Sequence, residues 1–108
     1  DSPELRQRRS TSLLLLRSGR RILLQRRSRY ESLMPDMWEL PQSVRDIGRK
    51  PLLVVKHSIT TTDWTVRVIA GGRANIRDDM RWVTLSDVAQ LPLTGLTRKV
   101  LRKLSLLA

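Results

Sequence analysis

The sequence predicts a mixed α/β domain of the α+β kind, an antiparallel-rich sheet followed by helices. Three observations carry this. Short apolar runs broken by turn residues fill the chain as far as residue 85. Residues 64–70 (WTVRVIA) alternate apolar and polar, the period of a strand with one packed face. Beyond Ser86 the apolar spacing becomes helical.

Residues 1–11 (DSPELRQRRST) are polar and basic and contain Pro3, which reads as a connector or arm entering a domain at residues 12–108. Residues 12–17 (SLLLLR) and 21–27 (RILLQRR) flank Ser18-Gly19 and predict a hairpin. A single leucine-rich helix is disfavoured, because an interior Gly costs about 1 kcal/mol relative to Ala. Residues 28–37 form a polar loop. Trp38-Glu39-Leu40 is a short extended piece stopped by Pro41, and residues 43–47 have room for one helical turn before Gly48. The β-branched run at 51–60 (PLLVVKHSIT) predicts a buried strand, with its tip at Thr61-Thr62-Asp63 and the alternating strand 64–70 after it. Another strand falls within 79–85. Ser86 is positioned to cap a short helix through Val88 and Leu91, stopped by Pro92. Thr94 or Thr97 starts a last helix in which Leu96, Val100, Leu101, Leu104 and Leu107 form a core-facing stripe beside Arg98, Lys99, Arg102 and Lys103.

The composition narrows the chemistry. In 108 residues the net charge is +11, a field that attracts phosphate backbones or anionic lipid. Cysteine is absent, so no disulfide, thiolate nucleophile or cysteine metal site is available, which is compatible with a cytoplasmic location. His57 is the single histidine, so the chain cannot build a two-histidine metal site. No apolar run approaches the roughly 20 residues of a membrane span. The chain opens at Asp1 rather than Met and reads as a piece of something longer. The acids are scattered, with no pair at i,i+3 or i,i+4 on a convincing helix face. There is no glycine-rich phosphate loop. No catalytic residue and no metal site is therefore assigned.

Candidate nucleic-acid contacts are clearer. Arg26, Arg27 and Arg29 flank a loop. Lys56, His57, Ser58, Thr60, Thr61 and Thr62 gather at a strand end and tip. Lysine and arginine neutralise phosphates, and hydroxyls fix register by hydrogen bonding. Ile59, among these polar groups, is either a wedge against a base step or an inward-facing strand residue.

Three segments together resemble a known family. Residues 34–42 (MPDMWELPQ) are similar to the Gly-Leu-Trp-Glu-Phe-Pro signature in the C-terminal domain of A/G-specific adenine DNA glycosylases of the MutY type. Residues 81–104 (RWVTLSDVAQLPLTGLTRKVLRKL) resemble that domain's ending, and SLLLLRSGRRILLQRR its opening strands. The resemblance spans residues 12–105. It implies a Nudix-like fold: a mixed, largely antiparallel sheet, a C-terminal helix and a shortened Nudix helix. Nudix hydrolases carry Arg-Glu and Glu-Glu pairs that bind magnesium, whereas this chain reads QSVRDIGRKP after its Trp-Glu-Leu-Pro. The resemblance thus implies the scaffold without the hydrolase chemistry.

In that family a His-x-Phe-Ser/Thr-His loop approaches 8-oxoguanine opposite the target adenine. The matching stretch here is His57-Ser58-Ile59-Thr60-Thr61, with Ile59 in place of the aromatic wedge and Thr61 in place of the second histidine. The family's catalytic core and its iron–sulfur cluster belong to an N-terminal domain, for which residues 1–11 would be the stub of the connector. No cofactor is expected in the present domain. The expected partners are duplex DNA carrying 8-oxoguanine paired with adenine and the glycosylase domain of the same chain. The domain is expected to be a monomer with no membrane contact. Two alternatives stay open: a divergent Nudix hydrolase of oxidised nucleoside triphosphates, and a basic RNA-binding protein.

Overall fold

A computed structural model of the chain describes residues 6–43, 49–71 and 76–108. Its strands are β1 (Gln7–Leu15), β2 (Arg17–Ser18), β3 (Arg21–Arg26), β4 (Trp38–Glu39), β5 (Gln42–Ser43), β6 (Leu53–Ile59), β7 (Thr62–Ala70) and β8 (Met80–Thr84), followed by helices α1 (Leu85–Val88) and α2 (Gly95–Lys103). The mixed α+β class expected from the sequence is what the chain adopts.

The strands form two sheets rather than one. The first has the order β5-β1-β7-β6. The second is built on β3, which pairs with β2, β4 and β8. All pairings between these strands are antiparallel except β1 with β7, which run parallel from Gln7↔Thr62 to Leu15↔Ala70. The leucine run is shared between the sheets. Leu15 pairs with Ala70, while the carbonyl of the next residue, Leu16, already accepts from the Leu23 N–H in the second sheet.

The predicted hairpin is therefore β2–β3, with Ser18↔Arg21 closing a two-residue turn in which Gly19 has φ +60°. That conformation suits a residue without Cβ. Strand pairing begins at Gln7, inside the segment read as a connector. Residues 7–10 are exposed, so what places them is backbone pairing to β7, which leaves no apolar alternation to read. The run read as a buried strand, β6, is an edge strand with Leu52 and Val54 about half exposed. The helical turn at 43–47 and the shortened Nudix helix fall largely on residues 44–48, outside the described residues; Ser43 itself belongs to β5.

One core joins the sheets to the helices. Leu13, Ile22, Leu24, Val55, Val66 and Val68 contribute from the strands, and Val88, Val100 and Leu101 from the helices. Leu96, Leu104 and Leu107 pack on its border, as the helical stripe predicts. Thr94 is the cap of α2, its hydroxyl accepting from the Thr97 N–H. Thr97 is 1% exposed; its own hydroxyl accepts from Leu40 N–H at 3.3 Å and from Thr94 Oγ1 at 2.9 Å. This buried network fastens α2 to the chain just after β4. The cap of α1 is Thr84, two residues before the expected Ser86, and the two hydroxyls lie 3.2 Å apart.

Candidate nucleic-acid interface

The β6–β7 hairpin carries the residues expected to meet nucleic acid. Its register runs His57↔Trp64, Ser58↔Asp63, Ile59↔Thr62, so the turn is Thr60-Thr61, one residue earlier than the tip expected from sequence. Alternation then divides the segment between two faces. Val55, His57 and Ile59 share the face of Trp64 and Val66, which looks into the fold. Lys56 and Ser58 lie on the opposite face, where Lys56 Nζ donates to Thr65 Oγ1 at 2.7 Å and Ser58 Oγ to Asp63 Oδ1 at 2.7 Å.

Thr60 has φ +53°. A β-branched side chain in the left-handed region is strained, and this position of a two-residue turn favours glycine. Strain held at a loop tip is a feature of sites whose shape is used. Thr60 and Thr61 are both exposed, and the Thr61 carbonyl accepts from the Gln7 N–H at 3.0 Å.

Ile59 lines a cleft of about 210 Å³ between the sheets, together with Trp64, Leu13 and Leu96. Arg27, Glu39 and Met34, from β4 and the loop before it, close the other side. The structure thus brings the arginine-flanked loop and the hairpin end to one cleft. It separates the arginines by occupation. Arg27 is drawn in: Nη1 lies 3.2 and 3.3 Å from the Glu39 carboxylate oxygens, Nη2 is 3.5 Å from Glu31, and Nε donates to the Leu33 carbonyl at 3.2 Å. Arg26 makes an exposed pair with Asp36, and Arg29 is exposed with no ion pair among the described residues. Burial raises the pKa of Glu39 above its ordinary range, with Arg27 pulling the other way.

His57 sits beside α2. Partial burial lowers its pKa first, and the nearby Lys99 ammonium adds to this; Lys99 Nζ donates to the Lys56 carbonyl. The imidazole is therefore neutral at pH 7, with one ring nitrogen able to donate and one to accept. An NMR titration of this single histidine is expected to give a midpoint below 6.5, moving upward in Lys99→Ala. A midpoint at or above 6.5 would contradict the placement beside Lys99.

Three residues of this region were not singled out from sequence. Trp64 forms a cleft wall. Asp63 bridges Ser58 and Arg6, with Arg6 Nη2 at 2.7 Å and Nε at 3.1 Å. Asp63 is readable in retrospect: once the turn is set at Thr60-Thr61, counting back pairs it with Ser58. Arg6, 57 residues away from Asp63, leaves no local signal.

A magnesium centre does not fit the donors among the described residues. Among the described residues no three of His, Asp and Glu gather as metal ligands, and Glu39 is committed to Arg27. Residues 42–50 (QSVRDIGRK) include one acid, Asp46, against two arginines and a lysine that would oppose a divalent cation.

No family model and no curated protein matches the chain. Solved structures do. The chain is similar to the MutT protein of Methanosarcina mazei Go1, with 19% identity, 96% of each chain covered and a TM-score of 0.70. It is also similar to a MutT NUDIX hydrolase of Burkholderia pseudomallei, with 21% identity over 89% of this chain and 97% of that one, TM-score 0.65. The C-terminal domain of mouse MUTYH, solved in complex with human PCNA, matches at 16% identity over 89% and 86%, TM-score 0.61. At these identities the likeness speaks for architecture alone, and the architecture of this chain is Nudix-like.

Proposed function

We propose that the chain is a DNA-reading domain of a MutY-type adenine glycosylase, working in base excision repair by sensing 8-oxoguanine opposite the adenine that a separate catalytic domain removes. One observation carries this reading: Ile59, next to the strained Thr60 of the β6–β7 tip, lines the same cleft as Arg27 and Met34 of the arginine-bearing loop, on a chain of net charge +11 whose described donors do not suit magnesium. Thr60 and Thr61 then meet the damaged pair, and Arg26, Arg29 and Lys56 meet phosphates. Arg27 supports the loop from within. His57 and Ser58 hold the hairpin in shape, and Ile59 is the apolar element behind the tip. On this reading hydrolysis of the glycosidic bond and the iron–sulfur cluster belong to the catalytic domain, and the whole protein works in the cytoplasm.

Fluorescence anisotropy with 8-oxoguanine–adenine, undamaged and RNA duplexes tests the proposal. The damaged duplex should bind best. A protein neutralising six phosphates loses about 10³-fold in affinity between roughly 50 and 200 mM salt. Affinity without salt dependence, or preference for structured RNA, would overturn it.

The likeness to two MutT proteins favours a second reading, hydrolysis of an oxidised nucleoside triphosphate. Pyrophosphate release from such a substrate with magnesium would establish it.

A further inference from the structure

We propose that Asp63 is a positioning and specificity-determining residue of the DNA-facing hairpin, holding the tip in register while withholding a general contact from undamaged phosphate backbone; this rests on the DNA-reading function proposed above. Its carboxylate is the meeting point of three strands. Oδ1 accepts from Ser58 Oγ of β6 at 2.7 Å and from Arg6 Nη2, just before β1, at 2.7 Å; Oδ2 accepts from Arg6 Nε at 3.1 Å. Arg8 stands directly across from Asp63 in the β1–β7 register. One residue further along, the Gln7 N–H reaches the Thr61 carbonyl. The turn is therefore gripped through the side chain of Asp63 and the backbone of Thr61.

Two consequences follow from the geometry. The Ser58 hydroxyl hydrogen is directed to Asp63, so Ser58 has no donor left for a phosphate, although its oxygen still accepts. The Arg6 guanidinium is held at two points by a carboxylate, and its charge is locally cancelled. The hollow beside the Ser58–Asp63 contact, lined by Arg8, Lys56, His57, Ser58 and Thr65, contains a single carboxylate, that of Asp63. Without it the hollow is a general phosphate site. With it, Arg6 is already paired and an entering phosphate finds one free cation fewer, so net affinity falls to the contacts made at the tip. Specificity is a difference of affinities, and withholding a general phosphate contact from the wrong partner raises it. Asp63 withholds that contact.

The experiment uses the full chain as wild type, Asp63→Asn and Asp63→Glu. Anisotropy titrations with damaged and undamaged duplexes over a salt series are combined with amide hydrogen exchange at the tip. Asp63→Asn is expected to bind undamaged duplex about threefold more tightly at low salt. Its salt slope should steepen by about one, as the freed Arg6 neutralises one more phosphate. The ratio of damaged to undamaged affinity should fall, and amide protection at residues 60–62 should drop. Asp63→Glu, which keeps the charge, should retain the ratio. Equal weakening of both duplexes in Asp63→Asn, or an unchanged slope, would overturn the specificity role. Unchanged exchange would overturn the positioning role. If the wild type binds no duplex, the DNA-reading function itself fails and the specificity role with it, while the exchange data still decide the positioning role.

Discussion

Replacing Arg27 by Met is expected to lower the unfolding free energy by about 3 kcal/mol at pH 7, the scale on which removing one partner of a buried ion pair acts. The pair is mostly buried, with 22% and 26% of the two side chains exposed. The guanidinium also fixes the loop through the Leu33 carbonyl and Glu31. Met fills a similar volume but leaves the Glu39 carboxylate without its counter-charge in a site that already raises its pKa. The sign of the pH dependence follows. A carboxyl whose pKa is higher folded than unfolded holds more protons in the folded state, so stability falls as pH rises from about 4.5 through the folded value. Arg27→Met raises that pKa further, so its cost should shrink on acidification, and Arg27→Met with Glu39→Gln should recover much of the loss. Urea denaturation at pH 5 and pH 7 measures both. A pH-independent cost would show that Arg27 acts through packing rather than charge.

Thr60→Gly is expected to separate stability from binding. Relief of a β-branched residue at φ +53° gains on the order of 1–3 kcal/mol, offset by about 0.5–1 kcal/mol for the greater freedom of unfolded glycine. The variant should unfold about 1 kcal/mol later. On the proposed function it also loses a hydroxyl aimed at the damaged pair, so affinity for the 8-oxoguanine duplex should fall about tenfold, the equivalent of one 1.4 kcal/mol contact. Denaturation midpoints and anisotropy on the same preparation read the two effects. Greater stability with unchanged affinity would remove Thr60 from the interface.

Parts of this fold were legible because their signals are local. Ser18-Gly19 marked the β2–β3 turn, and the spacing of Leu96, Val100 and Leu101 marked α2. The division into two sheets was not legible, because it depends on which partner each half of the leucine run finds. Nor was the first half of β1, where Gln7, Arg8, Arg9 and Ser10 are all exposed. The candidate site divides in the same way. The segment from His57 to Thr61 stood out as a polar cluster on an apolar strand. Arg27 looked like its neighbours Arg26 and Arg29, since its partner Glu39 lies 12 residues on and the pairing needs the second sheet to form.

The parallel contact of β1 with β7 also bears on the order in which the chain acquires its shape. Gln7 must wait for Thr62, more than fifty residues later, before its strand can join the sheet. Closing a loop of that length costs entropy before any contact rewards it, and such distant pairings slow folding. During synthesis the arginines of β1 are therefore made before the strand that places them. The hairpin β2–β3, closed by two residues, can form while most of the first sheet is still unmade.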